Sequence, residues 1–168
     1  MVTGGAGYLG CVLLPALLKR GKVYVVDNLY FGKKPLKNFI NHENFNLICE
    51  DAFNISAYED ILSEADAVIH LACISNDPSF DLNPTLGRSI NYDAFLPLVT
   101  ISKSKNVSRF IYASSSSVYG IQEIASVDEH TRLDPLTDYS RYKAACEEQL
   151  LIHSDAAFST VIARPATV

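Results

Sequence analysis

Several things are missing from this chain of 168 residues, and each absence removes a class of function. No run of Lys or Arg is longer than the pair Lys33-Lys34, and Asp+Glu 19 against Lys+Arg 14 leaves a net charge of −5. Proteins that grip nucleic acid or an anionic membrane carry a basic stripe, so neither partner is expected. No apolar run approaches the ~18 residues of a membrane span. Met1 leads straight into a glycine cluster, without the charged and apolar regions of a signal peptide. The four cysteines, Cys11, Cys49, Cys73 and Cys146, form no CxxC pair and have no His at zinc spacing. They read as reduced thiols in the cytoplasm, with no metal site. Internal repeats, low-complexity tracts and linkers are also absent. With 48% hydrophobic and 20% charged residues, disorder, collagen and coiled coil are excluded. The length fits one domain, large enough to bury roughly 70% of its unfolded surface.

What is present is an alternation. Short apolar runs occur at Val23–Val26, Phe45–Cys49, Ala67–Leu71, Phe110–Ala113 and Val161–Ala163. They are rich in β-branched and aromatic residues and apolar on both faces, which suits parallel strands between two helical layers. Helical patterns fall at Gly7–Arg20, Ala57–Ser63, Asn91–Ser104 and Tyr139–His153. The order βαβαβ…βαβαβ predicts an α/β fold, a doubly wound parallel sheet of the Rossmann kind. Pro15 lies inside the first helix, where proline removes a backbone donor, and a kink is expected there.

Thr3-Gly4-Gly5-Ala6-Gly7-Tyr8-Leu9-Gly10 joins a short strand to that helix. Gly4, Gly7 and Gly10 suit a tight strand-to-helix turn, close approach of a pyrophosphate, and close helix-on-strand packing. The helix start offers free N–H groups and partial positive charge to phosphate. A glycine triplet alone is equally a generic turn. Here a second strand follows and ends in Asp27, placed to accept the ribose hydroxyls of a dinucleotide. That acid would repel a 2′-phosphate, and Asp27-Asn28-Leu29 contains no Arg to offset it, so NAD is expected over NADP.

Tyr139 and Lys143 stand at i and i+4 on one helical face. A nearby ammonium favours phenolate, and such a phenol can take a proton from a hydroxyl while hydride leaves. Ser114-Ser115-Ser116-Ser117-Val118-Tyr119-Gly120 follows the strand Phe110–Ala113, at the sheet end where ligands sit. Taken singly, the first is also a surface helix pair and the second a solvated loop.

Together these features resemble the extended short-chain dehydrogenase/reductase family, in its nucleotide-sugar epimerase/dehydratase branch. The resemblance spans the chain and includes Asp51, Val68-Ile69-His70-Leu71-Ala72, Asn91 and Arg164-Pro165. It implies NAD bound by Gly4, Gly7, Tyr8, Leu9, Gly10, Asp27, Asn28, Asp51, Ala52, Leu71, Ala72, Cys73 and Asn91, with Tyr139, Lys143 and Pro165 at the nicotinamide end. In that scheme Asp51 bonds the adenine amine and Asn91 supports the lysine or a water beside it. Tyr139 is the acid/base, Lys143 holds the ribose and tunes Tyr139, and Ser115 bonds the substrate hydroxyl. Ser116 and Ser117 would also meet the substrate. The segment Ile74-Ser75-Asn76-Asp77-Pro78-Ser79 faces substrate in the family. Ser75 and Asn76 are therefore substrate candidates, though Asn-Asp-Pro is equally a turn.

The resemblance also bears on the reaction. Dehydratases of the family resemble Thr-Asp-Glu where this chain has Ser115-Ser116-Ser117, decarboxylases usually carry Glu at Ser117, and enzymes that epimerise beside a ketone place Cys there. Epimerisation at carbon 4 needs none of these groups. The expected function is an NAD-dependent nucleotide-sugar 4-epimerase, with a 4-keto-sugar reductase or a dehydratase or decarboxylase as alternatives. A catalytically silent dinucleotide-binding domain is the alternative from another class. The resemblance further implies a homodimer through Asn91–Ser104 and Tyr139–His153. It also implies a C-terminal substrate domain beyond residues 1–168, so the chain reads as a fragment shortened at both ends. His70 reads as a core residue, His42, His130 and His153 as surface, and Glu147-Glu148 as a solvated helix face.

Overall fold

The computed structural model describes residues 1–124 and 126–166. Six parallel strands form one sheet: β1 (Val2–Thr3), β2 (Val23–Asp27), β3 (Phe45–Cys49), β4 (Ala67–His70), β5 (Arg109–Ala113) and β6 (Ser159–Ala163). Their spatial order is β3-β2-β1-β4-β5-β6, so the chain winds outward in both directions from a crossover between β1 and β4. That is the dinucleotide-fold order, and its cleft opens where the winding reverses. Val2 pairs with Val25 on one side and Ile69 on the other, and Thr3 pairs with Val26 and His70.

Helices cover both faces. On one side α1 (Tyr8–Leu18) buries Leu14 and Leu18 against Val2, Val23 and Val25. On the other, α5 (Phe95–Ser104) and α6 (Asp138–His153) bury Phe95, Leu98, Cys146 and Leu150 against Val26, Val68, Phe110 and Tyr112. Fully burying side chains such as Leu98 or Phe110 contributes about 1.5–3 kcal/mol each. β6 departs from the expected two-sided cover, because Val161 on this edge strand remains 45% exposed.

α1 runs through Pro15 without a break. Pro15 sits on the exposed side next to the buried Leu14, so the carbonyl that loses its amide partner can turn to water. The expected helix over Ala57–Ser63 is a 3₁₀ turn (Ile55–Ala57) followed by α2 (Glu59–Leu62). Two short helices are additional, α3 (Asp77–Asp81) and α4 (Pro84–Arg88). Each begins with an Asn whose side chain accepts an amide: Asn76 from Ser79, Asn83 from Leu86. Each also carries Pro in its first positions. The Asn76-Asp77-Pro78 string, which reads equally as a turn, therefore starts a helix. A π-turn over Ser89–Asp93 leads into α5.

His70 is buried as expected, its Nδ1 2.7 Å from the Thr3 hydroxyl and its ring stacked on Tyr112. Burial, aided by the charge of Lys143, lowers its pKa to about 3. The cysteines are free. The solvated face assigned to Glu147-Glu148 holds only for Glu148. Glu147 is buried, because α6 turns it inward on the same face as Tyr139 and Lys143.

Candidate active site

The glycine loop is built tightly. Gly4 has φ +70, its N–H donates to Val26 O at 2.8 Å, and a Cβ there would lie 2.6 Å from the backbone nitrogen of Ala72. The Leu71–Ala72 backbone thus packs directly on the loop. A Cβ on Gly10 would collide with the Gly5 carbonyl, which keeps α1 close to the strand. Gly7 caps α1 without a side chain, and the first turn contains no acid. Its amides are therefore left for an incoming group, as a pyrophosphate requires.

Asp27 ends β2 and accepts from Ala6 N at 2.9 Å and Leu29 N at 2.8 Å, one amide to each oxygen. Each oxygen keeps a lone-pair direction for a ribose hydroxyl. Asn28 Nδ2 donates to Asp51 Oδ1 at 2.7 Å, so the two expected adenosine-side residues are joined. Ala52 accepts the Tyr58 hydroxyl through its carbonyl. Loop, acid and uncapped helix fit an NAD-sized dinucleotide across the β1–β4 crossover. Tyr8 is 72% exposed beside this loop.

At the other end of the cleft α6 supplies Tyr139 and Lys143, both buried. The helix starts on a capping box: Thr137 Oγ1 accepts from Ser140 N, and Ser140 Oγ accepts from Thr137 N. Lys143 Nζ donates to Ala113 O at 2.8 Å and lies 4.9 Å from the Tyr112 ring centroid and 5.7 Å from that of Tyr139. Lysine and tyrosine are neighbours, as the spacing predicts. The direction of the Tyr139 shift is not as expected. Burial raises its pKa above the usual phenol value, outweighing the Lys143 charge and hydrogen bonds from Ser115 and the Asn76 amide, which pull it down. In the ligand-free chain Tyr139 therefore holds its proton at neutral pH.

The serine run turns at the end of β5. Ser115 caps a 3₁₀ turn over Ser116–Tyr119, and its Oγ accepts from Ser117 N at 3.2 Å and Ser117 Oγ at 2.9 Å. Ser116 N donates to Pro165 O at 3.0 Å, tying the turn to the segment after β6. Ser114 is buried, and its hydroxyl has no partner among the described residues.

Asn91 is buried and faces the segment that leaves β4. Its Oδ1 accepts from Ile74 N at 2.8 Å and its Nδ2 donates to Ile74 O at 2.9 Å. The amide is thus engaged with the segment after Cys73 rather than with Lys143. Ser75 and Asn76 are exposed on that segment, and Asn76 has φ +81. Thr137 donates its hydroxyl to Asp77, and the Phe80 ring lies 6.3 Å from Tyr139. Sequence reasoning missed Thr137 as a fastening point, although its Thr-x-x-Ser box was readable.

It also missed an ion pair between a buried carboxylate and a half-buried guanidinium. Arg164 donates Nη2 to Glu147 Oε2 at 2.6 Å and Nε to Oε1 at 3.0 Å, while its Nη1 donates to the Tyr119 hydroxyl at 2.9 Å. The side chains are 17% and 2% exposed. The carboxylate beside it pushes the Arg164 guanidinium pKa up.

Comparison with known proteins is consistent along the whole chain. The family described as "NAD dependent epimerase/dehydratase family" matches residues 1–168. UDP-glucuronic acid decarboxylase 1 of Danio rerio is 34% identical over 131 residues, which is 77% of this chain and 30% of that protein. Among solved structures, a UDP-N-acetylglucosamine 4-epimerase of Methanobrevibacter ruminantium, in complex with UDP-N-acetylmuramic acid, is 35% identical with a TM-score of 0.89. The match covers 97% of this chain and 53% of that one. A UDP-glucuronic acid 4-epimerase of Bacillus cereus, in complex with UDP-glucuronic acid and NAD, is 27% identical with a TM-score of 0.86. It is covered over 97% of this chain and 55% of that one. The chain thus spans about half the length of these solved structures and less than a third of the zebrafish relative.

Proposed function

Because the chain belongs to the NAD-dependent epimerase/dehydratase family, we propose that it forms the cofactor-binding and proton-transferring part of a nucleotide-sugar 4-epimerase. NAD, when bound, would supply a reversible hydride acceptor and a positively charged ring. The chain's own residues do the rest. The α1 amides and glycine loop would hold the pyrophosphate, with Asp27 for the adenosine ribose and Asn28–Asp51 for the adenine.

Tyr139 removes the proton from the sugar 4-hydroxyl during oxidation and returns it when the ketone is reduced from its other face. Ser115 hydrogen-bonds the same oxygen and Lys143 stabilises the phenolate. Tyr139 must ionise against its burial, so the added positive charge in the occupied cleft shifts it from acid toward base. Ser116 and Ser117 border the substrate, as do Ser75 and Asn76 from the segment opposite.

The observation that carries this reading is the Ser117 hydroxyl, bonded to Ser115 at 2.9 Å where decarboxylating relatives are expected to carry Glu. A serine hydroxyl in that place cannot act as the additional acid or base that elimination needs beside Tyr139. A decarboxylase is the second reading, favoured by the 34% and 36% identities to UDP-glucuronic acid decarboxylases. The purified protein should be incubated with NAD and, separately, UDP-glucose, UDP-N-acetylglucosamine and UDP-glucuronic acid, and the products read by proton NMR. A 4-epimer supports the first reading, and a pentose product with release of CO₂ replaces it with the second.

We also infer a cytoplasmic homodimer. Its support is α5, where Leu96, Pro97 and Thr100 lie exposed along a groove of about 490 Å³ shared with Ile55 and Glu59. No helix among the described residues is long and apolar enough to cross a membrane. Sedimentation of the purified chain tests the dimer, and a monomer at tens of micromolar would refute it.

A further inference from the structure

We propose that Arg164 and Glu147 are positioning residues, a guanidinium–carboxylate clamp that sets the catalytic helix against the serine turn; this rests on the functional reading above. The Arg164 side chain bonds two segments that must keep register for proton transfer, and the backbone beside it bonds the serine turn as well. Its fork grips Glu147, one turn beyond Lys143 and two beyond Tyr139 on the inner face of α6. Its Nη1 holds the Tyr119 hydroxyl at the end of the 3₁₀ turn that begins at Ser115, and the guanidinium lies 5.0 Å from the Tyr119 ring centroid. Its neighbour Pro165 accepts the Ser116 amide. One side chain thus links the tyrosine–lysine helix, the serine turn and the backbone after β6.

Stability does not account for such a pair. Withdrawing Glu147 fully and Arg164 largely from water offsets much of what their attraction returns, and an apolar pair of similar volume holds a fold about equally well. What the ion pair adds is direction, because a planar fork on a carboxylate fixes both distance and angle. A shift of about 1 Å between a base and its substrate costs on the order of 100-fold in rate.

The test separates holding from aiming. In the full-length protein saturated with NAD, Glu147→Leu combined with Arg164→Met replaces the clamp with apolar packing. The expected result is a thermal midpoint within a few degrees of the wild type. Reduction of NAD at 340 nm on adding UDP-glucose, UDP-N-acetylglucosamine or UDP-glucuronic acid should slow by roughly 10- to 100-fold in kcat, with KM little changed. Arg164→Lys, which keeps the charge but loses the fork, should slow the same step.

If kcat recovers together with the midpoint, or if Arg164→Lys keeps full kcat, the pair is only structural and the proposal is wrong. Should the double variant fail to fold, Tyr119→Phe removes a single hydroxyl. A several-fold fall in kcat at an unchanged midpoint supports the clamp, and an unchanged kcat defeats it. A wild type that binds NAD but reduces none with any of these sugars overturns the functional reading, and the clamp falls with it.

Discussion

The side chain of Asn91 meets the backbone of Ile74 in both directions, accepting its N–H at 2.8 Å and donating to its carbonyl at 2.9 Å. A side-chain amide here substitutes for a strand neighbour. It fixes the segment that leaves β4, and the π-turn over Ser89–Asp93 is what turns this buried Asn inward. Asn91→Ala should leave both Ile74 groups unpaired and cost about 2 kcal/mol, or about 4–8 °C in Tm. NAD affinity should fall with it, because Cys73 and Ala72 precede the freed segment. An unchanged melting temperature in differential scanning calorimetry would show that Ile74 finds other partners.

Tyr139→Phe removes the only group assigned to move the substrate proton. Turnover of whichever UDP-sugar proves active should drop 10²- to 10⁴-fold. NAD affinity, read by isothermal titration calorimetry, should change by no more than a few-fold. Full turnover by this variant would take Tyr139 out of the acid/base role.

Gly4 and Gly32 both have positive φ, +70 and +80, but only Gly4 is crowded. Gly4→Ala drives a Cβ to 2.6 Å from the Ala72 nitrogen, which is backbone and cannot rotate away. NAD binding should weaken at least tenfold. Gly32→Ala meets open space and should cost only the about 1–2 kcal/mol of a left-handed residue, with NAD affinity intact. Equal effects on NAD binding from the two substitutions would contradict the tight loop.

His70 gives the chain a sensitivity to acid. In the fold it takes up a proton only near pH 3, whereas in the unfolded chain it does so near 6.5. The unfolded state therefore binds more protons between those values, and stability rises with pH. This contribution is complete above pH 6.5 and is lost as pH falls toward 3. By pH 5 the loss from this residue is about 2 kcal/mol. His70→Gln should flatten the slope of urea-unfolding stability between pH 7 and pH 5, and an unaltered slope would assign the sensitivity to other groups.

The parts of the site that follow chain order were readable in the sequence. Gly4, Gly7 and Gly10, the strand ending at Asp27, and the four-residue step from Tyr139 to Lys143 are local patterns tied to a strand or helix period. Contacts set by tertiary packing were not readable. Tyr139, Lys143 and Glu147 share one spacing, yet nothing within α6 points to Arg164, which reaches Glu147 only because β6 lies beside the helix. Asn91 stands in the expected neighbourhood, but its partner is decided by the π-turn. The Asn76-Asp77-Pro78 segment carries a signal common to turns and helix caps, and only the following residues, packed through Phe80, decide between them.

The two halves of the sheet are each made of strands that follow one another along the chain, and they meet where Thr3 pairs with His70, 67 residues away. Closing a loop of that length costs about 4 kcal/mol in chain entropy, repaid over only two residue pairs of the β1–β4 ladder. In kinetic terms the join between β1 and β4 is expected to form late, after each half has found its local partners. Weakening that join would then hasten unfolding while leaving the speed of folding almost unchanged. The cleft for the dinucleotide lies along the same join, so the binding site would be the last part of the molecule to close and the first to open.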